Sequence, residues 1–83
     1  MKMWEVIGYE KSFVQRDAQA GYEAFNLYVK KPVKPSPGAE GCKCRSFWFR
    51  AHEINYIPQV GDTVIVETEV RGKYEIILDI QKV

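Results

Sequence analysis

A chain of 83 residues has room for one domain but not two, and it can bury only a thin core. Its 46% apolar and 28% charged residues exclude a disordered or fibrous chain, and no apolar run nears the roughly 20 residues that span a bilayer. Net charge is +1, but residues 1–52 carry +4 and residues 53–83 carry −3, a polarity that suits an anionic partner on one side.

The N-terminal stretch Met1-Lys2-Met3-Trp4-Glu5-Val6-Ile7-Gly8 sets an acid inside its apolar segment and makes a poor signal peptide. The expected compartment is therefore the cytoplasm, where Cys42 and Cys44 would stay free thiols.

Period-two alternation dominates the chain and helical periodicity is nearly absent. Met3 to Val14 reads as the first strand, with Gly8 marking a bulge or sharp coil, and residues 16–21 as its hairpin loop. Tyr22 to Lys31 reads as the second strand. Phe25, Leu27 and Val29 share one side, and Tyr22, Asn26, Tyr28 and Lys30 the other.

Pro32, Pro35, Pro37 and Gly38 should forbid regular pairing, so residues 32–41 are expected as an exposed loop with a basic start at Lys30, Lys31 and Lys34. Cys42 to His52 is the third strand, in which Phe47, Phe49 and Ala51 alternate with Ser46, Trp48, Arg50 and His52. Residues 53–59 connect onward with room for one helical turn, and Val60-Gly61-Asp62 turns into a fourth strand, Thr63 to Val70. Arg71-Gly72-Lys73 is a hairpin turn. The last strand, Tyr74 to Val83, puts Ile76, Leu78 and Ile80 on one face, with Ile77 out of step.

Five strands with a connector after the third predict an all-β, five-stranded antiparallel OB-like barrel in one domain, with little or no helix. An SH3-like barrel is the competing architecture.

Side-chain parity gives the main functional expectation. Turning Phe25, Leu27, Val29, Phe47 and Phe49 inward forces Asn26, Tyr28, Lys30, Ser46, Trp48 and Arg50 outward. Tyr28 and Trp48 could stack unpaired bases, while Lys30, Lys31, Lys43, Arg45 and Arg50 neutralise phosphates. The expected partner is single-stranded DNA or RNA, DNA favoured, bound without catalysis or cofactor. Outward aromatics beside arginine also anchor protein interfaces, so an interaction module or homodimer built on the same strip is the alternative.

Other chemistry is poorly supported. Cys42-Lys43-Cys44 misses the usual paired zinc spacing, so no metal is expected. His52 would stand about 26 Å from Cys44 along a straight strand, which removes a Cys–His couple, and no enzyme is expected. Glu67, Glu69, Glu75 and Asp79 read as the solvated face of the last hairpin, repelling a phosphate backbone. No phosphate-loop glycine pattern occurs.

The segments Gly21-Tyr22-Glu23-Ala24-Phe25-Asn26-Leu27-Tyr28-Val29, Phe47-Trp48-Phe49, Tyr56-Ile57-Pro58-Gln59-Val60-Gly61-Asp62-Thr63-Val64 and Gly72-Lys73-Tyr74-Glu75-Ile76 resemble small OB-fold, single-stranded-DNA-binding-like proteins of Gram-positive phages and mobile elements. The resemblance implies a non-catalytic DNA-handling accessory that could be dimeric. The proline-rich loop and the Cys42/Cys44 pair have no counterpart in it.

Overall fold

A computed structural model describes residues 3–15 and 20–83. The hairpin loop expected at 16–21 therefore lies largely outside the described residues. Five strands form: β1 (Met3–Val14), β2 (Tyr22–Pro32), β3 (Cys42–Arg50), β4 (Thr63–Arg71) and β5 (Tyr74–Lys82). They make one all-antiparallel sheet in the order β3-β2-β1-β4-β5, and no helix forms among the described residues. Among the described residues no helix is long and apolar enough to cross a membrane.

β1 is the hub. Along most of its length it pairs with β2, and through Met3, Trp4 and Glu5 it also pairs with β4. The two halves therefore extend in opposite directions from a short shared seam, and the molecule measures 54 × 31 × 20 Å. The edges β3 and β5 approach each other and are tied by the Arg45–Glu75 ion pair, but no strand ladder joins them. The sheet is not closed, so the expected barrel is realised only as an open sheet whose edges meet at one place.

Inward parity on the middle strands is as expected. Leu27 pairs with Phe47 and Phe25 with Phe49, and all four are buried. Trp4, Val6, Val29, Ile54, Val64, Val66 and Ile80 complete one core. The ring of Trp4 meets Phe47 edge-on at 5.8 Å, and the Phe25 and Phe49 rings lie 5.3 Å apart. Aromatic pairs in such arrangements gain roughly 0.5–1.5 kcal/mol beyond the area they bury.

Two bulges adjust the alternation. On β1 the register shifts between Val6 and Gly8, which leaves Ile7 without an opposite number. This is the irregularity expected at Gly8. On the last hairpin the shift between Glu67 and Thr68 sets Glu67 opposite Asp79 and Thr68 opposite Ile77, so Leu78 is the extra residue. The expected single face of Ile76, Leu78 and Ile80 is thereby broken. Ile80 and Ile77 turn to the core, whereas Ile76 and Leu78 are exposed. The same bulge corrects the expected acidic face: Glu67, Glu69 and Asp79 share the outside, while Glu75 turns toward Arg45 on β3.

The loops follow local chemistry. Arg71 pairs with Tyr74 around Gly72-Lys73, and Gly72 has φ 61°, the positive value that a two-residue hairpin turn requires at its first position. The proline-rich loop is less irregular than expected, because Ser36 and Ala39 exchange backbone hydrogen bonds of 3.0 and 2.9 Å around Pro37-Gly38. Proline followed by a glycine at φ 84° fits the two central positions of a type II turn.

After β3 the chain turns at 51–53 without forming a helix, and Ile54 and Pro58 of the connector are buried. Tyr56 donates its hydroxyl to Asp62 Oδ2 at 2.8 Å. Burial, reinforced by that bond, pushes the phenol up to about 12.

Candidate functional site

The outer faces of β2 and β3 owe their shape to register. Asn26 is opposite Trp48, Tyr28 opposite Ser46, and Lys30 opposite Cys44. Since Phe25, Leu27, Phe47 and Phe49 are buried, the alternate residues must face away from the core. Trp48 is 47% exposed there, against 2% for Trp4.

Trp48 and Tyr28 share the outer face, as expected, but do not stand directly opposite each other. The two sit on a diagonal, and the ring beside Trp48 is that of Tyr22, edge-on with centroids 6.5 Å apart. The Arg50 guanidinium lies over the Tyr22 ring at 4.7 Å, and His52 meets the same ring edge-on at 6.3 Å. Ala24, on this face directly across from Arg50, is fully buried, so the cluster forms a roof over the strands. A larger residue at 24 would hold Tyr22 and Arg50 apart.

Tyr28 has a different role. It is half-buried, and its hydroxyl donates to Glu10 at 2.5 Å on the neighbouring strand. That bond to a carboxylate holds the phenol above its ordinary value. Gly8 lies opposite Tyr28 on β1, and a Cβ there would come within 3.8 Å of the Tyr28 ring. Tyr28 is therefore fastened across β1 and β2, and its ring is less available than that of Trp48.

The expected cations divide between two faces. Lys30 and Arg50 are on the outside, in ion pairs with Glu5 and Glu53, each at 3.5 Å. Lys31, Lys43 and Arg45 are on the core side, because Lys31 pairs with Lys43, and Val29, which is buried, pairs with Arg45. There the Lys31 ammonium covers the Trp4 ring at 4.6 Å and the Arg45 guanidinium covers Phe47 at 4.4 Å. One strand of nucleic acid on the outer face could not reach all five cations. The outer set is Tyr22, Trp48, Lys30 and Arg50, with Tyr28 and His52 at its margins.

Tyr22 and His52 join the set only through the fold, as neighbours of Trp48 and of each other. The parity of Tyr22 was visible, but its approach to Trp48 depends on the small Ala24 between them. His52 lies in the turn after β3, beyond the strand end.

Compared with known protein families, with characterised proteins and with solved structures, the chain shows no significant match. Among the described residues no group of three or more metal-binding side chains gathers.

Proposed function

We propose that this chain binds single-stranded nucleic acid, DNA favoured, on the outer face of β2 and β3, without sequence preference and without catalysis. The observation that carries the reading is the half-exposed Trp48 beside Tyr22, with Arg50 laid on the Tyr22 ring. An exposed indole offers a π-face that any base can stack on, at roughly 1–3 kcal/mol per base. Arg50 beside that cluster and Lys30 farther along the same face would supply cations for the phosphates of a backbone threading past it.

Both cations have acidic partners, but exposed ion pairs are worth only about 0–1 kcal/mol and exchange readily for a phosphate. The acids on the outside of β4 and β5, Glu67, Glu69 and Asp79, would repel a phosphate backbone and confine it to the β2–β3 side. The strand arrangement supports the same reading. In a partly open OB barrel the face of strands two and three, flanked by the first and last hairpin loops, binds oligonucleotides. The cytoplasm, where the two thiols stay reduced, is the setting that fits.

Fluorescence anisotropy of a labelled oligo-dT at several salt concentrations tests the proposal. Binding should weaken as salt rises, through release of counterions, and Trp48→Ala should abolish most of it. Salt-independent binding, or binding indifferent to Trp48→Ala, would refute it.

A protein-interaction or assembly module is the second reading, and a separate observation favours it. Val70, Tyr74, Ile76 and Leu78 are exposed along the last hairpin, at the edge that β5 leaves largely unpaired. Sedimentation over a concentration series separates the two readings. A stable dimer sensitive to Tyr74→Ser but not to Trp48→Ala would favour assembly.

A further inference from the structure

Cys42 and Cys44 are both exposed free thiols at the start of β3. Their parity matches that of Ser46 and Trp48, so both thiols lie on the outer face of an edge strand. The sequence alone offers two cysteines at a spacing that suits neither zinc nor catalysis. The strand geometry is more specific about what such a pair can hold.

Alternate residues on an extended strand are about 6.6 Å apart. A disulfide needs its two Cβ atoms within roughly 3.5–4.5 Å, so this pair is too widely spaced to close one without bending the strand. Two thiolates on a single metal ion can be as much as about 4.6 Å apart, given metal–sulfur bonds near 2.3 Å. Thiols that lean toward each other along the strand can reach that separation. The spacing thus disfavours oxidation within the chain and permits chelation.

Coordination number and charge narrow the choice of ion. Zinc in a structural site takes four protein donors. Here two thiols stand without further donors, since no cluster of three or more forms among the described residues. Thiolates suit copper(I), zinc and iron–sulfur clusters, but the last two call for about four protein donors, so a soft monovalent ion satisfied by two thiolates, copper(I), fits better. Such a complex carries one negative charge. Lys30 stands directly across from Cys44 on the same face, with its ammonium 3.5 Å from Glu5, so it offsets only part of that charge.

The geometry points to a chelating dithiol site for copper(I) at Cys42 and Cys44, a site that does not depend on the nucleic-acid reading. On binding, the two thiols release two protons to solvent and two copper–sulfur bonds form, with no change in oxidation state.

The test is an anaerobic titration of the full chain with copper(I), in competition with a coloured copper(I) chelator. One ion per chain is expected, and Cys42→Ser and Cys44→Ser should each weaken binding by about 100-fold or more, because the second thiolate binds at high effective concentration. A single variant that keeps wild-type affinity, or one ion shared by two chains, would overturn the proposal. X-ray absorption on the wild-type complex gives a check that needs no variant. Two sulfur neighbours are expected, and four, or any nitrogen, would contradict it. Mild oxidation of the free protein should yield no disulfide within the chain; if one forms readily, the spacing argument fails.

Discussion

Two arginines on the same strand illustrate how burial separates a structural contact from an available one. Arg45 and Arg50 each lie over an aromatic ring, at 4.4 and 4.7 Å, and each is paired to a glutamate. Arg45 covers Phe47, a core residue, and its partner Glu75 comes from the opposite sheet edge. Arg50 covers Tyr22 beside the exposed Trp48, and its partner Glu53 is three residues along the chain. The first contact joins two edges over the core. The second leaves a ring, a cation and an indole facing outward. Nearly the same chemistry thus ties the sheet edges together on the core face of β3 and leaves an exposed aromatic cluster on its outer face.

The comparison can be broken most sharply at Phe47. Phe47→Ala should cost about 3–5 kcal/mol in denaturant unfolding, because it removes a buried ring from the core, and any loss of oligonucleotide binding should follow unfolding. Trp48→Ala should do the opposite: stability within about 0.5 kcal/mol of wild type, and binding weaker by roughly 1–3 kcal/mol. If the two variants behaved alike, the distinction between the two faces of β3 would be lost.

Smaller effects sharpen it. The Tyr56 phenol is pushed up to about 12 in the folded chain, against an ordinary 10.0. The folded state therefore holds this proton more tightly than the unfolded state does, and stability contributed below pH 10 should drain away between about pH 10 and 12. Thermal melts of wild type and Tyr56→Phe across that window should converge as pH rises, with a gap at neutral pH of about 0.5–1.5 kcal/mol from the lost hydrogen bond. A gap that widened with pH would reverse the sign. Smallest of all, Arg45→Gln should cost no more than about 1 kcal/mol, since the ion pair across the open edge is partly exposed.

Strand existence was legible because each strand's alternation is set by its own residues. The first strand begins and ends where periodicity places it, and the phenylalanines of β3 point inward as their spacing requires. What was not legible depends on two strands at once. The bulge opposite Glu67 and Thr68 depends on how β5 aligns with β4, and it turned Ile76 outward and Glu75 toward β3. The ring beside Trp48 depends on the fold for a similar reason: Tyr28, on the same outer face as expected, bonds to Glu10 on β1, whereas Tyr22 reaches across a small Ala24. The division of the cations is readable by parity, since Lys31, Lys43 and Arg45 are in step with the buried residues of their strands, whereas Lys30 and Arg50 alternate with them. Charge alone groups them with Lys30 and Arg50.

The most direct measurement uses the two tryptophans against each other. Oligo-dT titrated into the protein should quench emission from Trp48, so quenching should persist in Trp4→Phe and vanish in Trp48→Phe. Quenching that survives in Trp48→Phe, or none in any of the three proteins at low salt, would contradict a base-stacking surface on the outer face of β2 and β3.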